Sequence, residues 1–457
     1  MAPPPPPAKA DRRTVKDRFA DSNLYKVFSY GDFRLLWIGA FLSFTGSQVQ
    51  NIAQGYFVYR LTQDESKLGF VSFCASFPVF LLGFFAGTLA DAFDKRTVLI
   101  VTQAIFAAGA FFLAVVTHYH VVQYWQIATV AALLGLVSSV EMPTRQSIVS
   151  RVVPPEILAS AVPVNALTFN VARVFGPALG ALILVYWGVA MCYLLNGISF
   201  LALIWAALAI KANLKSHPRA PQPIWDLLIE GMTYTMRDNR LRTLFFLETI
   251  TAACGLAYIP MLPAYVHQVL GFSFDTLTKQ RILEQHTDAS KQVLGYCYTA
   301  VGIGAICGLL LVIQYAEGHH KAAIVRASMW MIGGGLFILS VTRQTALVYP
   351  VLVCMGAASV AQLNTTNALF QLISPERLRG RVLAMHIWAI NGFSPFGVLL
   401  FGWVASQTRL HHNLLVASTS YRLPSFGVPL SMQLGGLCVV LGAIAASLSR
   451  KGLSDLP

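Results

Sequence analysis

Glu248 is a carboxyl group about a turn and a half into an otherwise apolar run. A carboxyl taken out of water resists ionising, which is the property a proton carrier needs. Glu141 closes another apolar run and has Arg145 four residues further on, so an ion pair within one helix is its expected use. Arg173 stands near the middle of a third run. A centred Arg costs about 2.5–3.5 kcal/mol on insertion scales, so it is expected to turn inward, to a partner or an anionic substrate. Gln48, Asn51 and Gln54 recur every three residues and make one polar stripe, and Asn170 with Arg173 repeats that spacing. Asn364, flanked by Gln362 and Asn367, and Asn391 place further amides in apolar runs. His386 is close to the end of its run and reads as an interface histidine. Such groups suit proton exchange and the binding of small molecules in a pathway of low dielectric.

The elements that must carry these residues follow from composition. Of 457 residues, 56% are hydrophobic and only 12% charged, against roughly 25% charged in an ordinary soluble domain. The mean hydropathy is +0.60. The apolar surplus must face lipid. Twelve runs, at 35–59, 68–90, 98–117, 121–142, 162–186, 188–210, 243–266, 292–315, 324–342, 346–371, 382–407 and 428–449, each approach the ~20 residues a membrane helix needs. Only Trp187-Gly188 separates the fifth from the sixth. The net charge of +13 is sorted by side: 24 Lys and Arg fall on the side of both termini and 8 on the other. The positive-inside rule then puts both termini in the cytoplasm and the chain, multi-pass, in the cytoplasmic membrane. That sorting is not the dense basic face of a nucleic-acid binder.

The chain therefore divides into a Pro-rich, basic cytoplasmic segment (1–34), a six-helix bundle (35–210), a cytoplasmic linker (211–242), a second six-helix bundle (243–449) and a short tail (450–457). The linker holds an amphipathic stretch from Trp225 to Arg237. Pro155, Glu156 and Leu158 recur 220 residues later as Pro375, Glu376 and Leu378, after the fourth helix of each half. This supports two related halves around one pathway. The N-terminal segment is not a cleavable signal, because the first run spans a bilayer and no cleavage site follows it. All seven cysteines sit in apolar runs without a CxxC pair, as buried small hydrophobes do. The histidine pairs His319-His320 and His411-His412 fall in loops on opposite sides, so no metal site is expected. No HExxH, GxSxG or P-loop pattern occurs, so neither an enzyme nor direct ATP hydrolysis is supported and no cofactor is expected.

Two stretches resemble a known family. Gly87-Thr88-Leu89-Ala90-Asp91-Ala92-Phe93-Asp94-Lys95-Arg96 is similar to the signature that the major facilitator superfamily carries between its second and third helices. Gly87 would let a neighbouring helix close in, Asp91 would latch the inner gate at another helix's positive end, and Lys95 and Arg96 would anchor the loop. The sequence departs from the pattern at Asp94, where the family usually has Gly, and at Ala92, where a basic residue is common. In helix five, Gly176-Pro177-Ala178-Leu179-Gly180 resembles the antiporter motif of drug exporters, in which Pro177 kinks the helix and the glycines permit close packing. With Asp32-Phe33-Arg34-Leu35-Leu36-Trp37 and Pro375-Glu376-Arg377-Leu378-Arg379-Gly380-Arg381, these stretches resemble the enterobactin-exporter and macrolide-efflux branch.

The resemblance implies a secondary transporter, a proton-coupled exporter of small amphipathic molecules that works by alternating access. Its expected partners are a small-molecule substrate, protons and lipid, with the chain a monomer. The alternatives are a lipid or lysophospholipid carrier, a facilitated-diffusion carrier, a membrane sensor or scaffold without flux, and a membrane-embedded enzyme. The last would need convergent acids, histidines or cysteines, and the runs offer no such group.

Overall fold

A computed structural model describes residues 23–215, 224–272, 289–314, 321–416 and 426–448. Among these residues the chain is helical and has no strand. In chain order, the helices are α1 (Asn23–Ser29), α2 (Gly31–Thr62), α3 (Glu65–Ala92), α4 (Lys95–His118), α5 (Tyr124–Val152) and α6 (Pro155–Ala209). After the linker come α7 (Ile224–Arg237), α8 (Asn239–Ile250), a π-turn (Thr251–Gly255) and α9 (Tyr258–Gln268). The remainder are α10 (Ala289–Gln314), α11 (Lys321–Val341), α12 (Thr345–Ile373), α13 (Arg379–Val416) and α14 (Val428–Leu448).

Ten of the described helical segments are long and apolar enough to cross a bilayer. α6, at 55 residues, is one of them and would reach roughly 80 Å if unbroken, well over twice the hydrocarbon thickness. It breaks at Gly188, whose φ of 79° only glycine adopts without strain, and so makes two crossings. α2 adds the first crossing, its apolarity diluted by its polar stripe. The result is an all-α membrane protein of twelve crossings in two six-helix bundles.

Aspartate side chains start three of the helices. Asp64 accepts the Ser66 N–H at 2.9 Å at the head of α3, and Asp94 accepts that of Thr97 at 3.0 Å at the head of α4. Asp238 takes those of Arg240 and Leu241 at 2.8 and 3.2 Å ahead of α8. Asp94, which departs from the superfamily's glycine, thus works as an N-cap.

The halves pack alike. In the first, Gly135 of α5 lies against the Ala75 carbonyl of α3; in the second, Gly356 of α12 lies against the Val301 carbonyl of α10. A side chain at either glycine would force the backbones apart. The repeated Pro-Glu-x-Leu stretches both lie in a turn that enters the next helix, closed by bonds one residue out of register with each other. Ile157 N–H returns to the Pro154 carbonyl at 3.1 Å where α6 begins, and Leu378 N–H returns to that of Pro375 at 3.0 Å just before α13.

One end of the bundle, the linker face, gathers the chain between the halves. Asp32 accepts the backbone N–H groups of Lys211 and Ala212 at 3.2 and 2.8 Å. Glu230 of α7 pairs with Arg377 at 2.9 Å and with Arg381. The opposite end of the bundle is the far face. α7 begins at Ile224, one residue before the amphipathic stretch read from sequence. The seventh run is not one continuous α-helix, as the sequence suggested, because the π-turn divides it.

Candidate transport pathway

The polar stripe of α2 opens onto a cavity of about 280 Å³ inside the first half. Gln48, Asn51 and Gln54 all line it, together with Ser43, Gln103 of α4, Glu141 and Arg145 of α5, and Asn196 of α6. Its wall is a chain of hydrogen bonds. Ser43 donates to the Gln103 carbonyl oxygen at 3.3 Å, and the Gln103 amide donates to Glu141 at 3.2 Å. The Arg145 guanidinium pairs with the same carboxylate oxygen at 3.1 Å. Arg145 also lies over the Phe169 ring, 4.6 Å from its centroid, and Phe169 meets Phe44 edge-on at 4.9 Å. Asn196 donates to Gln50 at 2.7 Å. Both members of the ion pair are buried, so each offsets the other's desolvation and the cavity wall carries no net charge.

The second half buries a different pair. Glu248 of α8 lies 2.7 Å from Nδ1 of His386 on α13, and the two side chains are 1% and 5% exposed. His386 is therefore not the interface histidine its place near a helix end suggested. α13 begins at Arg379 and packs that turn against α8, carrying the imidazole into the bundle beside Phe370, 5.3 Å between ring centroids. The other oxygen of Glu248, Oε1, has no hydrogen-bond partner among the described residues. One turn on, Thr251 opens the π-turn and accepts the Gln362 amide at 2.8 Å. π-turns recur at functional sites because they redirect side chains and free backbone groups. This one is clasped by glycines, Gly397 of α13 against the Ala253 carbonyl and Gly435 of α14 against the Cys254 carbonyl, where an added Cβ would stand 2.8 Å away.

The other expected site residues stand outside these two pairs. Asn364 donates to the Val360 carbonyl of its own helix at 2.9 Å, and Asn391 is exposed. Arg173 is exposed and makes no side-chain hydrogen bond or ion pair among the described residues. Gly176 and Gly180 face α2, where a Cβ on Gly176 would collide with Gln48 and one on Gly180 would stand 2.9 Å from the Val49 Cα. The backbone stays helical at Pro177, and the departure within α6 falls at Gly188 instead. Lys95 donates to the Ser147 hydroxyl at 2.8 Å, and Arg96 donates to the carbonyls of Ile210 and Ala212 at 2.5 and 3.2 Å. These bonds tie the head of α4 to α5 and to the linker. The side chains of Gly87, Asp91 and Asn170 lie outside the described residues.

Sequence reading did not single out Gln103, Gln50 or Asn196. Gln103 and Asn196 are isolated amides in apolar runs, with the same improbability in lipid that drew attention to Asn364, and Gln50 stands between Gln48 and Asn51 of the stripe. It also passed over a cluster at the far face. Tyr59 of α2 donates to Glu65 at 3.3 Å and lies 3.0 Å from Nδ1 of His267 on α9, while Gln268 hydrogen-bonds the same carboxylate.

Twelve apolar crossings in two like bundles, with polar groups turned inward, define a membrane transporter of the major facilitator type. The profile of the transmembrane secretion effector family matches residues 23–428, and the chain belongs to that family. It is similar to the staphyloferrin A transporter of Staphylococcus aureus, 23% identical over 362 residues covering 79% of this chain and 86% of the relative. It is also similar to macrolide efflux protein A of Streptococcus pyogenes, 22% identical over 398 residues covering 85% and 92%. Among solved structures it shares its fold with a bacterial homologue of the human lysosomal transporter Spinster, inward-facing and unoccupied. The TM-score is 0.65 at 13% identity, over 93% of this chain and 98% of that one. The protein is a transporter, not an enzyme.

Proposed function

We propose that this transporter exports small amphipathic molecules in exchange for protons, by alternating access between the two halves. Glu248–His386 carries the reading. A carboxyl and an imidazole within hydrogen-bonding distance and shut away from water hold one proton between them without net charge, and releasing it leaves a lone carboxylate, so the proton leaves when water or a cation reaches the pair. The cavity along Gln48, Asn51 and Gln54, neutral overall and walled by amides and the rings of Phe44, Phe106 and Phe200, suits a molecule with hydroxyl and amide groups on an apolar frame. Arg173 offers a cation to an anionic substituent on the same substrate. The relatives' names, a siderophore transporter and a macrolide efflux protein, agree with that class.

The charge sorting supports a cytoplasmic membrane location with both termini and the linker face inside. A cysteine placed at Ser216 is then expected to escape an impermeant reagent applied to intact cells. We read Gly87, Asp91, Lys95 and Arg96 as the inner gate, with the bonds of Lys95 and Arg96 holding its frame, and the chain as a monomer with two six-helix domains. The test is uptake of a macrolide and of staphyloferrin A into proteoliposomes under an imposed proton gradient. Accumulation that collapses with an uncoupler is expected. Equilibration at the same rate with and without the gradient would replace antiport with facilitated diffusion.

A further inference from the structure

The Glu248–His386 pair is built wholly inside the second half. Glu248 stands on α8 and His386 on α13, and α8 packs against α7, α12, α13 and α14. Rigid-body rocking of one half against the other keeps the contacts inside each half. A proton site of this kind therefore needs a contact from the first half that ties its access to water to the tilt of the halves. A pair equally wet in every state would pass protons with no substrate to accompany them.

A stack of three rings supplies that contact. Phe80 of α3, from the first half, lies nearly flat on Trp388 of α13, with 5.3 Å between centroids and 10° between planes. Phe245 of α8 lies against the same Trp388 at 6.2 Å and 28°. Phe245 is buried and stands one helical turn before Glu248, and Trp388 comes two residues after His386. Phe393 of α13 meets all three rings edge-on, 5.2 Å from Trp388, 6.3 Å from Phe80 and 6.4 Å from Phe245. Gly392 makes the seat for Phe80, since a Cβ there would stand 2.7 Å from that ring. The charged groups on the elements around the pair stay at the linker face: Arg240 with Asp238, Arg242 with Asn239, Arg377 and Arg381 with Glu230, and Arg379 exposed. From α12 come neutral groups, the Phe370 ring beside His386 and the Gln362 amide on Thr251.

We propose that Phe80 is a positioning residue for the proton site, the first half's seal over Glu248–His386. The proposal rests on the antiport reading and deepens it by assigning the contact that links proton exchange to the tilt of the halves. With α3 against α13, Phe80 holds Trp388 and Phe245 in one stack, and the rings keep water from the pair. When the halves part along this seam, Phe80 leaves with α3. Trp388 loses the ring that fixes it, water enters beside Phe245, and the pair exchanges its proton with that water. Only O–H and N–H bonds form and break. Stacked rings suit the task because they part without stranding a polar group, so the seal can open and close in every cycle.

The experiment measures proton leak with no substrate present. Proteoliposomes holding the full-length protein and an internal pH dye are given a pH step, and the decay of the gradient is followed. The wild type is expected to hold the gradient. Phe80→Ala is expected to speed the decay about two- to tenfold, the weight of one aromatic pair on an opening equilibrium. Phe80→Tyr, which keeps the ring, is expected to hold the gradient as wild type does. Adding Glu248→Gln to Phe80→Ala is expected to abolish the extra leak, a result that merely loosened packing would not give. If Phe80→Ala does not fold, Gly392→Ala, which pushes the Phe80 ring off its seat, carries the test with the same leak expected. A Phe80→Ala protein as tight as wild type, or a leak that survives Glu248→Gln, would overturn the seal. Gradient-driven uptake by wild type beside a tight Phe80→Ala protein would sink the seal alone and leave the antiport reading standing. A Glu248-dependent leak in Phe80→Ala, beside a wild type that only equilibrates its substrate, would support the seal and sink antiport instead.

Discussion

The first half sets Glu141 against Arg145 on the next turn of its own helix; the second sets Glu248 against His386 on a different helix. Both pairs are buried, and the difference lies in the partner. A guanidinium stays protonated in proteins, so the first pair is fixed in charge and serves to hold the cavity wall. An imidazole changes charge near neutral pH, so the second pair can gain or lose a proton as its surroundings change. The lesson is that burial alone does not make a carboxylate a proton carrier. A permanently charged neighbour fixes it, and a titratable neighbour frees it.

Removing one partner from each pair separates these roles. Arg145→Ala leaves Glu141 charged and unpaired in the bundle, and breaking a buried pair in this way costs about 3–5 kcal/mol. The expected result is a large fall in the thermal midpoint of the purified protein, partly recovered by adding Glu141→Gln. His386→Ala leaves Glu248 able to take up a proton in place of its partner. The expected cost is the smaller one of a lost hydrogen bond in the interior, about 1–3 kcal/mol. Its larger effect is expected on the pH profile of transport. Equal losses of stability in the two variants, with an unmoved pH profile, would erase the distinction between the halves.

Much of this was legible in the sequence, and the rest was hidden for a physical reason. The ion pair of Glu141 follows from a spacing of four on a helix, and the stripe of Gln48, Asn51 and Gln54 from a spacing of three. A local period is written in the chain. The partner of Glu248 stands 138 residues away, and nothing local marks it. His386 sits where an interface histidine is common, so its type and position pointed to the bland reading until packing placed it. The far-face cluster escaped notice likewise: Tyr59, Glu65 and His267 stand at helix ends, where polar residues are unremarkable until those ends meet. The π-turn left no trace in hydropathy, because Thr251–Gly255 is as apolar as its flanks.

A smaller effect sharpens the comparison by marking what an ordinary exposed-end carboxylate does. Asp238 caps α8, outside the membrane-crossing stretch. Partial burial would raise its titration point, but the hydrogen bond from the Arg240 side chain and those from the Leu241 and Arg240 N–H groups outweigh it and hold the carboxyl below its usual range. The cap's contribution is therefore complete above the unfolded value near 3.9 and fades as pH falls through the lower folded value. Asp238→Ala is expected to cost about 1 kcal/mol at neutral pH. Thermal midpoints of variant and wild type should converge in acid, with transport coupling unchanged throughout.

The central claim is that Glu248, freed by its imidazole partner, carries the exchanged proton. Proteoliposomes holding wild type or Glu248→Gln are given the same proton gradient and a labelled macrolide, and binding is measured in parallel on the purified proteins. Gln keeps the shape and a hydrogen bond to His386 but cannot release a proton. The account predicts that wild type concentrates the macrolide while Glu248→Gln binds it with similar affinity and only equilibrates it. A Glu248→Gln protein that concentrates the macrolide as wild type does would contradict the account.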